Sequence, residues 1–167
     1  SVMVIGGDQE VEYMFANLGY RILSEFDSRA EPDLICFTGG SDVSPLYYNE
    51  RAIIQTHPDP IRDRREKEVF DKFIDTPKCG ICRGGQFLNV MSGGAMWQHI
   101  DNHGSTHDVI DLLGWYGRDL SMTSTHHQMM RPSKKGETIA ITHRSKTFLS
   151  DTANEGKIPK PDFDTEI

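Results

Sequence analysis

Lys78-Cys79-Gly80-Ile81-Cys82-Arg83-Gly84-Gly85-Gln86 sets one cysteine among glycines, directly before a run that is typical of a helix, Gln86–Met91. Small residues around one reactive side chain are typical of a nucleophile elbow, the tight turn that joins a strand to a helix. A thiol at a helix N-terminus also meets the positive end of the helix dipole, which favours the reactive thiolate. The pattern therefore predicts that Cys82 is a nucleophile that attacks an acyl carbon.

Two other interpretations of this segment stay open. Cys82 could be a small buried apolar residue, as many unpaired cysteines are. Cys79 and Cys82 also form a C-x-x-C pair, which is typical of redox proteins, although the surrounding glycines fit an elbow better. A zinc site would need two more ligands at suitable spacing, and the sequence has no second cysteine pair, so no metal site is predicted.

Strands and helices alternate in the first half of the sequence. Predicted strands are Val2–Ile5, Tyr20–Phe26 and Asp33–Phe37, and predicted helices are Gln9–Leu18 and Arg62–Ile74. The uniformly apolar strands are typical of a parallel sheet that is covered on both faces. This alternation predicts an α/β domain of three layers with a mainly parallel central sheet.

The charged run Arg62–Glu68 is interpreted as the solvated start of its helix. The apolar residues of that helix are expected to face inward: Val69, Phe70, Phe73 and Ile74. Beyond the elbow, the pattern predicts short strands over Ala95–Ile100, His107–Leu112, Leu120–Ser124 and Thr138–Thr142.

Length and composition limit the classes of function. A chain of 167 residues suits one domain over residues 1–167, and a net charge of −7 argues against non-specific binding of nucleic acid. No apolar run is long enough to cross a bilayer, and the first residues do not resemble a signal peptide. Three cysteines are few and odd in number, which favours the reducing cytoplasm over a disulfide scaffold.

Gly39 and Gly40 directly follow a predicted strand. They could form a plain turn, but a glycine N–H can also approach a developing oxyanion, together with the N–H of Arg83, the residue after the nucleophile. Sites in parallel sheets form at the carboxyl ends of strands. We therefore expect the two glycines to lie close to Cys82.

The segment Ser124-Thr125-His126-His127-Gln128 carries adjacent histidines. Neighbours on a strand face opposite ways, so at most one of the two is expected at a shared site, and the other would be a core or surface histidine. The remaining histidines show no metal-ligand spacing. His103 and His107 would be a metal pair on a helix, but Gly104 between them favours a loop.

Four segments, taken in order, resemble the class I glutamine amidotransferase superfamily, and most closely its γ-glutamyl-γ-aminobutyrate hydrolase (peptidase C26) branch. They are Asp33–Pro45, which contains Thr-Gly-Gly-Ser-Asp, the Arg62-Asp63…Glu66 segment, Gly80–Val90 with Gly93-Gly94, and Ser124–Gln128. The pattern Gly-Ile-Cys-Arg-Gly-x-Gln-x-x-Asn-Val is specific, and its agreement with three other segments makes chance improbable.

The resemblance implies a flavodoxin-like domain without a cofactor and a Cys-His-Glu triad. Cys82 would attack the γ-amide carbon of glutamine or of a γ-glutamyl amine, with N–H groups of Gly40 and Arg83 at the oxyanion. The glutamyl α-amino and α-carboxylate groups would be held by four residues: Gly39, Gln86, His127 and Gln128. Asp42 and Asp63 would shape the pocket.

The sequence departs from the superfamily at one motif. The His-Pro-Glu that supplies the base and its partner is absent, so we expect that the domain lacks its C-terminal end or is inactive. Three functions stay open: an amidohydrolase working alone, a glutaminase subunit that supplies ammonia to a separate synthetase chain, and a non-catalytic glutamyl-binding protein. A homo-oligomer is compatible with each of them.

Overall fold

The computed structural model describes residues 1–117, 120–142 and 145–151, and the backbone of a strand at 164–166. The chain folds into two compact units. The first comprises Ser1–Val43 and Asp59–Leu88, and the second comprises Ser44–Pro58 and Asn89–Ile167. That the two units together form one domain over residues 1–167 stays a prediction.

A parallel sheet of four strands forms the first unit. Its strands are β1 (Val2–Ile5), β2 (Ile22–Leu23), β3 (Leu34–Phe37) and β4 (Lys78–Gly80), in the order β2-β1-β3-β4. All pairs are parallel, and Phe37 pairs in register with both Ile5 and Gly80. The strands β1, β3 and β4 therefore end together at one edge.

Three α-helices accompany this sheet: α1 (Gln9–Asn17), α2 (Pro60–Lys72) and α3 (Arg83–Met91). The side chains of Asp8 and Asp59 cap α1 and α2 by accepting N–H bonds of the first turn. On α1, Val11 and Phe15 pack with apolar residues of β1 and β3 in one buried core cluster. The mainly parallel sheet with helices predicted from the sequence is confirmed.

The helix α2 corrects two expectations from the sequence. Ile74 lies beyond its end and is 60% exposed rather than inward. Asp63 and Glu66, which belong to the run interpreted as solvated, are fully buried. Two carboxylates inside a protein need charged partners, and these partners lie at the candidate site.

The second unit consists of short strands. They are β5 (Ala95–Trp97), β6 (His99–Ile100), β7 (His107–Asp111), β8 (Leu120–Met122), β9 (Met129–Arg131), β10 (Ala140–Thr142), β11 (Phe148–Leu149) and β12 (Asp164–Glu166). A four-stranded antiparallel sheet has the order β12-β10-β7-β8, and two antiparallel pairs join β5 with β9 and β6 with β11. A 3-10 helix covers Pro45–Tyr48. The core of this unit contains Trp97, Ile100, Met129 and Phe148.

Within the ranges given above, no helix is long and apolar enough to span a membrane.

Candidate active site

The candidate site lies at the edge of the parallel sheet where β1, β3 and β4 end. Gly6 follows β1, Thr38-Gly39-Gly40 follows β3, and Ile81-Cys82 follows β4. Because these strands are neighbours in register, the three turns emerge side by side. This is the edge at which sites of parallel α/β sheets form.

Cys82 occupies a strained turn between β4 and α3. Its φ is 54°, in the left-handed region that residues with a Cβ rarely adopt, and its side chain is exposed. The Cys82 carbonyl oxygen accepts a bond from the Gln86 N–H at 3.2 Å, so α3 begins directly after the cysteine. Strain of this kind is typical of a functional residue that must stand out of a turn.

Two glycines allow the close contacts of this turn. A Cβ on Gly84 would overlap the carbonyl oxygen of Phe37 in β3, and a Cβ on Gly80 would overlap the backbone of Gly84 and Gly85. The helix start therefore lies directly against the strand. The elbow glycines seen in the sequence are required by backbone packing.

We expect Gly84→Ala to destabilise the protein by about 1–3 kcal/mol, because backbone atoms cannot move aside as a side chain can. Urea unfolding followed by circular dichroism measures the effect. Gly104→Ala is the matched control, since a Cβ there meets no atom within 4 Å. Equal midpoints for the two variants would contradict the close contact.

The glycine loop after β3 lies beside the cysteine. A Cβ built on Gly39 would be 3.8 Å from the Cβ of Cys82. Gly40 has φ 149°, and a Cβ on it would overlap Arg62 Nη1. The structure thus brings Cys82 and the two glycines together, while the role of the glycine N–H groups stays a prediction.

Arg62 binds this loop through the loop's backbone. The guanidinium donates from Nη1 to the Gly39 carbonyl oxygen at 2.8 Å and from Nη2 to the Thr38 carbonyl oxygen at 3.1 Å. Its Nε donates to Glu66 Oε1 at 2.6 Å. One side chain therefore binds two successive carbonyl groups of the loop and a buried carboxylate.

Arg83, which follows Cys82, is paired with the same carboxylate. Its side chain is fully buried, and its Nη1 and Nη2 donate to Glu66 Oε2 and Asp63 Oδ1. We call Arg62, Asp63, Glu66 and Arg83 the arginine–carboxylate cluster. Its two positive and two negative groups cancel in charge, which is how buried ions are tolerated.

The burial of this cluster was not predicted from the sequence. A charged run at a helix start is normally solvated, and Arg83 lies 17 residues from Glu66. The available signal was spacing: Arg62 and Glu66 are four residues apart, and Asp63 and Glu66 three, so all three share one helix face. That face is buried where Asp63 and Glu66 pair with the buried side chain of Arg83.

The other two cysteines form a contact inside the sheet. Cys36 of β3 and Cys79 of β4 are register partners. A hydrogen bond from Cys36 lowers the pKa of the Cys79 thiol to about 7, and the same contact together with burial raises the pKa of Cys36. Cys79 is half-buried, whereas Cys82 is exposed.

The predicted glutamyl-binding residues fall in both units. Gln86 lies on α3 in the first unit and is 5% exposed. Of the two residues predicted to shape the pocket, Asp42 is half-buried and Asp63 is fully buried. His127 and Gln128 precede β9 in the second unit. The structure places Gly39, Gly40, Cys82, Arg83 and Gln86 in one unit, and the expected convergence of His127 and Gln128 with them stays a prediction.

Gln128 belongs to a buried polar network of the second unit. Its Nε2 donates to the Gln98 carbonyl oxygen at 3.1 Å. Gln98 in turn donates from Nε2 to Glu50 at 2.8 Å and accepts from the Thr56 hydroxyl at 2.8 Å. The His127 carbonyl oxygen accepts the Ile100 N–H at 2.8 Å. These bonds fix the backbone at the adjacent histidine pair.

Five histidines of this unit form two groups that the sequence did not predict. His99 and His127 approach at 3.2 Å between their Nδ1 atoms. The ring of His103 lies 4.6 Å from that of His107 and 4.7 Å from that of His126, between centroids. Adjacent His126 and His127 therefore have different partners. Among the described residues, no group of three or more histidine, cysteine or acidic side chains could hold a metal ion.

The peptidase C26 family matches residues 29–148 of the chain. That range includes the glycine loop, the arginine–carboxylate cluster, the elbow and the histidine pair.

Two curated relatives come from Lactococcus lactis. The glutamine amidotransferase-like protein YvdE of subspecies lactis is 32% identical over 146 residues, which cover 75% of this chain and 61% of that protein. Its homologue in subspecies cremoris is 32% identical over 125 residues, which cover 62% of this chain and 66% of that protein. The chain thus spans under two thirds of the length of these relatives.

Two solved structures share the fold. A glutamine amidotransferase from Thermotoga maritima has a TM-score of 0.67 and 14% identity, and the match covers 90% of this chain and 71% of that chain. A protein from Thermoplasma acidophilum, described as a component of GMP synthase, has a TM-score of 0.60 at 14% identity, and the match covers 83% of this chain and 71% of that chain. The predicted α/β flavodoxin-like fold is confirmed.

Proposed function

Because the chain belongs to the peptidase C26 family, we propose that it hydrolyses the γ-amide of glutamine or of a γ-glutamyl amine through a γ-glutamyl thioester on Cys82. The observation that carries this proposal is the turn at Cys82. Cys82 is exposed and has a left-handed backbone conformation. It directly precedes α3 and lies beside Gly39. A nucleophile elbow needs all of these features.

The proposed reaction has two stages. The Cys82 thiolate attacks the γ-carbonyl carbon, so that a C–S bond forms and the carbonyl oxygen becomes an oxyanion. The C–N bond then breaks, and the nitrogen takes a proton and leaves as ammonia or an amine. Water attacks the thioester in the second stage, which releases glutamate and restores the thiol.

The described residues would supply most of the groups that this reaction needs. N–H groups of Gly40 and Arg83 would stabilise the oxyanion. Gly39, Gln86 and the segment at His127-Gln128 would hold the glutamyl α-groups. The proton of the leaving amine needs a positioned acid, which the superfamily supplies from its His-Pro-Glu motif, and that motif does not occur in this sequence.

A second candidate is a glutaminase subunit that passes ammonia to a separate synthetase chain. The fold shared with the GMP synthase component from Thermoplasma acidophilum favours it. The chemistry at Cys82 would be the same. The two candidates differ in the leaving group and in whether a partner is needed.

The test measures ammonia released from glutamine and amine released from γ-glutamyl amines by the intact protein, with and without hydroxylamine. A thioester should transfer its glutamyl group to hydroxylamine, so we expect γ-glutamyl hydroxamate. Amine release by the protein alone would support the hydrolase, and ammonia release that depends on an added synthetase would support the glutaminase of a two-chain enzyme. If the protein binds glutamine but forms neither hydroxamate nor a γ-glutamyl thioester on Cys82, both candidate functions are contradicted. The non-catalytic glutamyl-binding alternative is then favoured.

A further inference from the structure

The arginine–carboxylate cluster touches both segments that carry the proposed oxyanion donors. Arg62 binds the loop that contains Gly40, and Arg83 directly follows Cys82. Glu66 joins the two, since its carboxylate accepts one bond from each arginine. One buried carboxylate therefore connects the loop and the elbow.

The bonds of Arg62 set the direction of two peptide planes. In a trans peptide, the carbonyl group and the N–H of the next residue point in opposite directions. The bond to the Gly39 carbonyl oxygen, 2.8 Å long, therefore aims the N–H of Gly40 away from the guanidinium. The bond to the Thr38 carbonyl oxygen does the same for the N–H of Gly39.

The backbone around the guanidinium leaves it little freedom. A Cβ on Gly6 would come within 2.6 Å of Arg62 Nη2, and a Cβ on Gly40 would overlap Nη1. Both glycines have positive φ, 111° at Gly6 and 149° at Gly40. The side chain is thus packed between two turns that only glycine can form at this distance.

We propose that Arg62, held by Glu66, is a positioning residue that orients the N–H of Gly40 toward the carbonyl oxygen of a γ-glutamyl substrate. The N–H of Arg83, the second proposed donor, belongs to a peptide whose carbonyl group, that of Cys82, is bound by the Gln86 N–H of α3. This inference rests on the proposed function, because an oxyanion forms only if Cys82 attacks a carbonyl carbon. A planar guanidinium suits the task, since its fixed fork of donors can bind two carbonyl oxygens and a carboxylate at once.

A role in stability alone does not account for this arrangement. Buried ion pairs are often no more stabilising than apolar side chains of similar volume. In this protein one arginine uses two of its donors on successive carbonyl groups of the loop beside Cys82. These bonds control the direction of backbone groups at the candidate site, which apolar side chains could not do.

The experiment compares two labelling reactions of Cys82 in the intact protein. A glutamine-like diazo-ketone presents a carbonyl oxygen where the amide oxygen of the substrate would lie, so its rate should depend on the oxyanion donors. Iodoacetamide reacts by direct displacement at a saturated carbon and develops no oxyanion. The ratio of the two second-order rate constants at Cys82, measured by peptide mass spectrometry, reports on donor orientation and not on access to the thiol.

We expect Arg62→Gln to lower the diazo-ketone rate by about tenfold or more and to change the iodoacetamide rate by less than about twofold. Arg62→Lys should fall between, because an ammonium lacks the planar fork. Gly6→Ala should lower the same ratio with the arginine retained, since its new Cβ would overlap both Thr38 Oγ1 and Arg62 Nη2 and would displace the guanidinium from the loop. Arg64→Gln is the matched control: it removes an exposed arginine from the same helix and should leave both rates unchanged.

Two results would overturn the inference in distinguishable ways. If the unaltered protein shows no preference for the diazo-ketone and no protection by glutamine, the proposed function fails and the inference fails with it. If that preference exists but Arg62→Gln leaves the ratio unchanged, or lowers both rates equally, the cluster has only a structural role. Circular dichroism confirms that each variant is folded before its rates are compared.

Discussion

Cys82→Ala should abolish γ-glutamyl transfer, with a loss of about a thousandfold or more, because removal of the nucleophile closes the covalent route. Formation of γ-glutamyl hydroxamate and labelling by the glutamine-like diazo-ketone should both disappear. Glutamine binding should survive, since the other residues of the site are unchanged. Hydroxamate yield and calorimetric titration with glutamine measure the two effects separately.

Cys79→Ala is the control for this experiment. The contact with Cys36 lowers the pKa of the Cys79 thiol, so a general thiol reagent can react at this second cysteine as well. Cys79 is half-buried within β4, however, and should not respond to a glutamine-like reagent. If Cys79→Ala loses hydroxamate formation while Cys82→Ala keeps it, the assignment of the nucleophile to Cys82 is wrong and Cys79 carries the thioester.

Glu66→Ala should destabilise the protein by about 3–5 kcal/mol, the usual cost of removing one partner of a buried ion pair. Its fully buried carboxylate accepts bonds from Arg62 and Arg83. Without it, the buried Arg83 guanidinium keeps a single carboxylate partner, Asp63, within the described residues. Urea unfolding gives the difference in free energy of unfolding.

Asp71→Ala provides the comparison on the same helix. It breaks the exposed pair between Lys67 Nζ and Asp71, which are 2.6 Å apart, and 56% of the Asp71 side chain is accessible. Exposed pairs contribute little, so the expected loss is below about 1 kcal/mol. Similar losses for Glu66→Ala and Asp71→Ala would show that the cluster is solvated, as the sequence first indicated.

The parallel half of the fold could be predicted from local signals. The apolar runs that became β1 and β3 are bounded by glycines, and the strand Val2–Ile5 is found as predicted. Gly80 and Gly84 marked the elbow because a turn this tight tolerates no Cβ at those points. The same glycines make Cys82 the leading candidate for the nucleophile from the sequence alone.

Local spacing places Arg62, Asp63 and Glu66 on one helix face, but the burial of that face and the histidine contacts depend on distant segments. In the sequence, Asp63 and Glu66 look like ordinary acidic residues at a helix start. Only the fold shows that the Arg83 side chain pairs with both of them. His99 lies beside His127 where the Ile100 N–H binds the His127 carbonyl oxygen, across 28 residues of sequence. Strands of two or three residues carry too short an alternation to predict their partners.

The left-handed backbone at position 82 also limits which side chains can stand in place of the proposed nucleophile. Cysteine and serine have an unbranched Cβ and can share a φ of 54°, so evolution could exchange sulfur for oxygen without rebuilding the turn. A residue with a branched Cβ is a severe outlier at this φ, so threonine could not take the place of the cysteine in this turn. Glycine would fit with the least strain, so Cys82→Gly should stabilise the turn while it removes the proposed nucleophile.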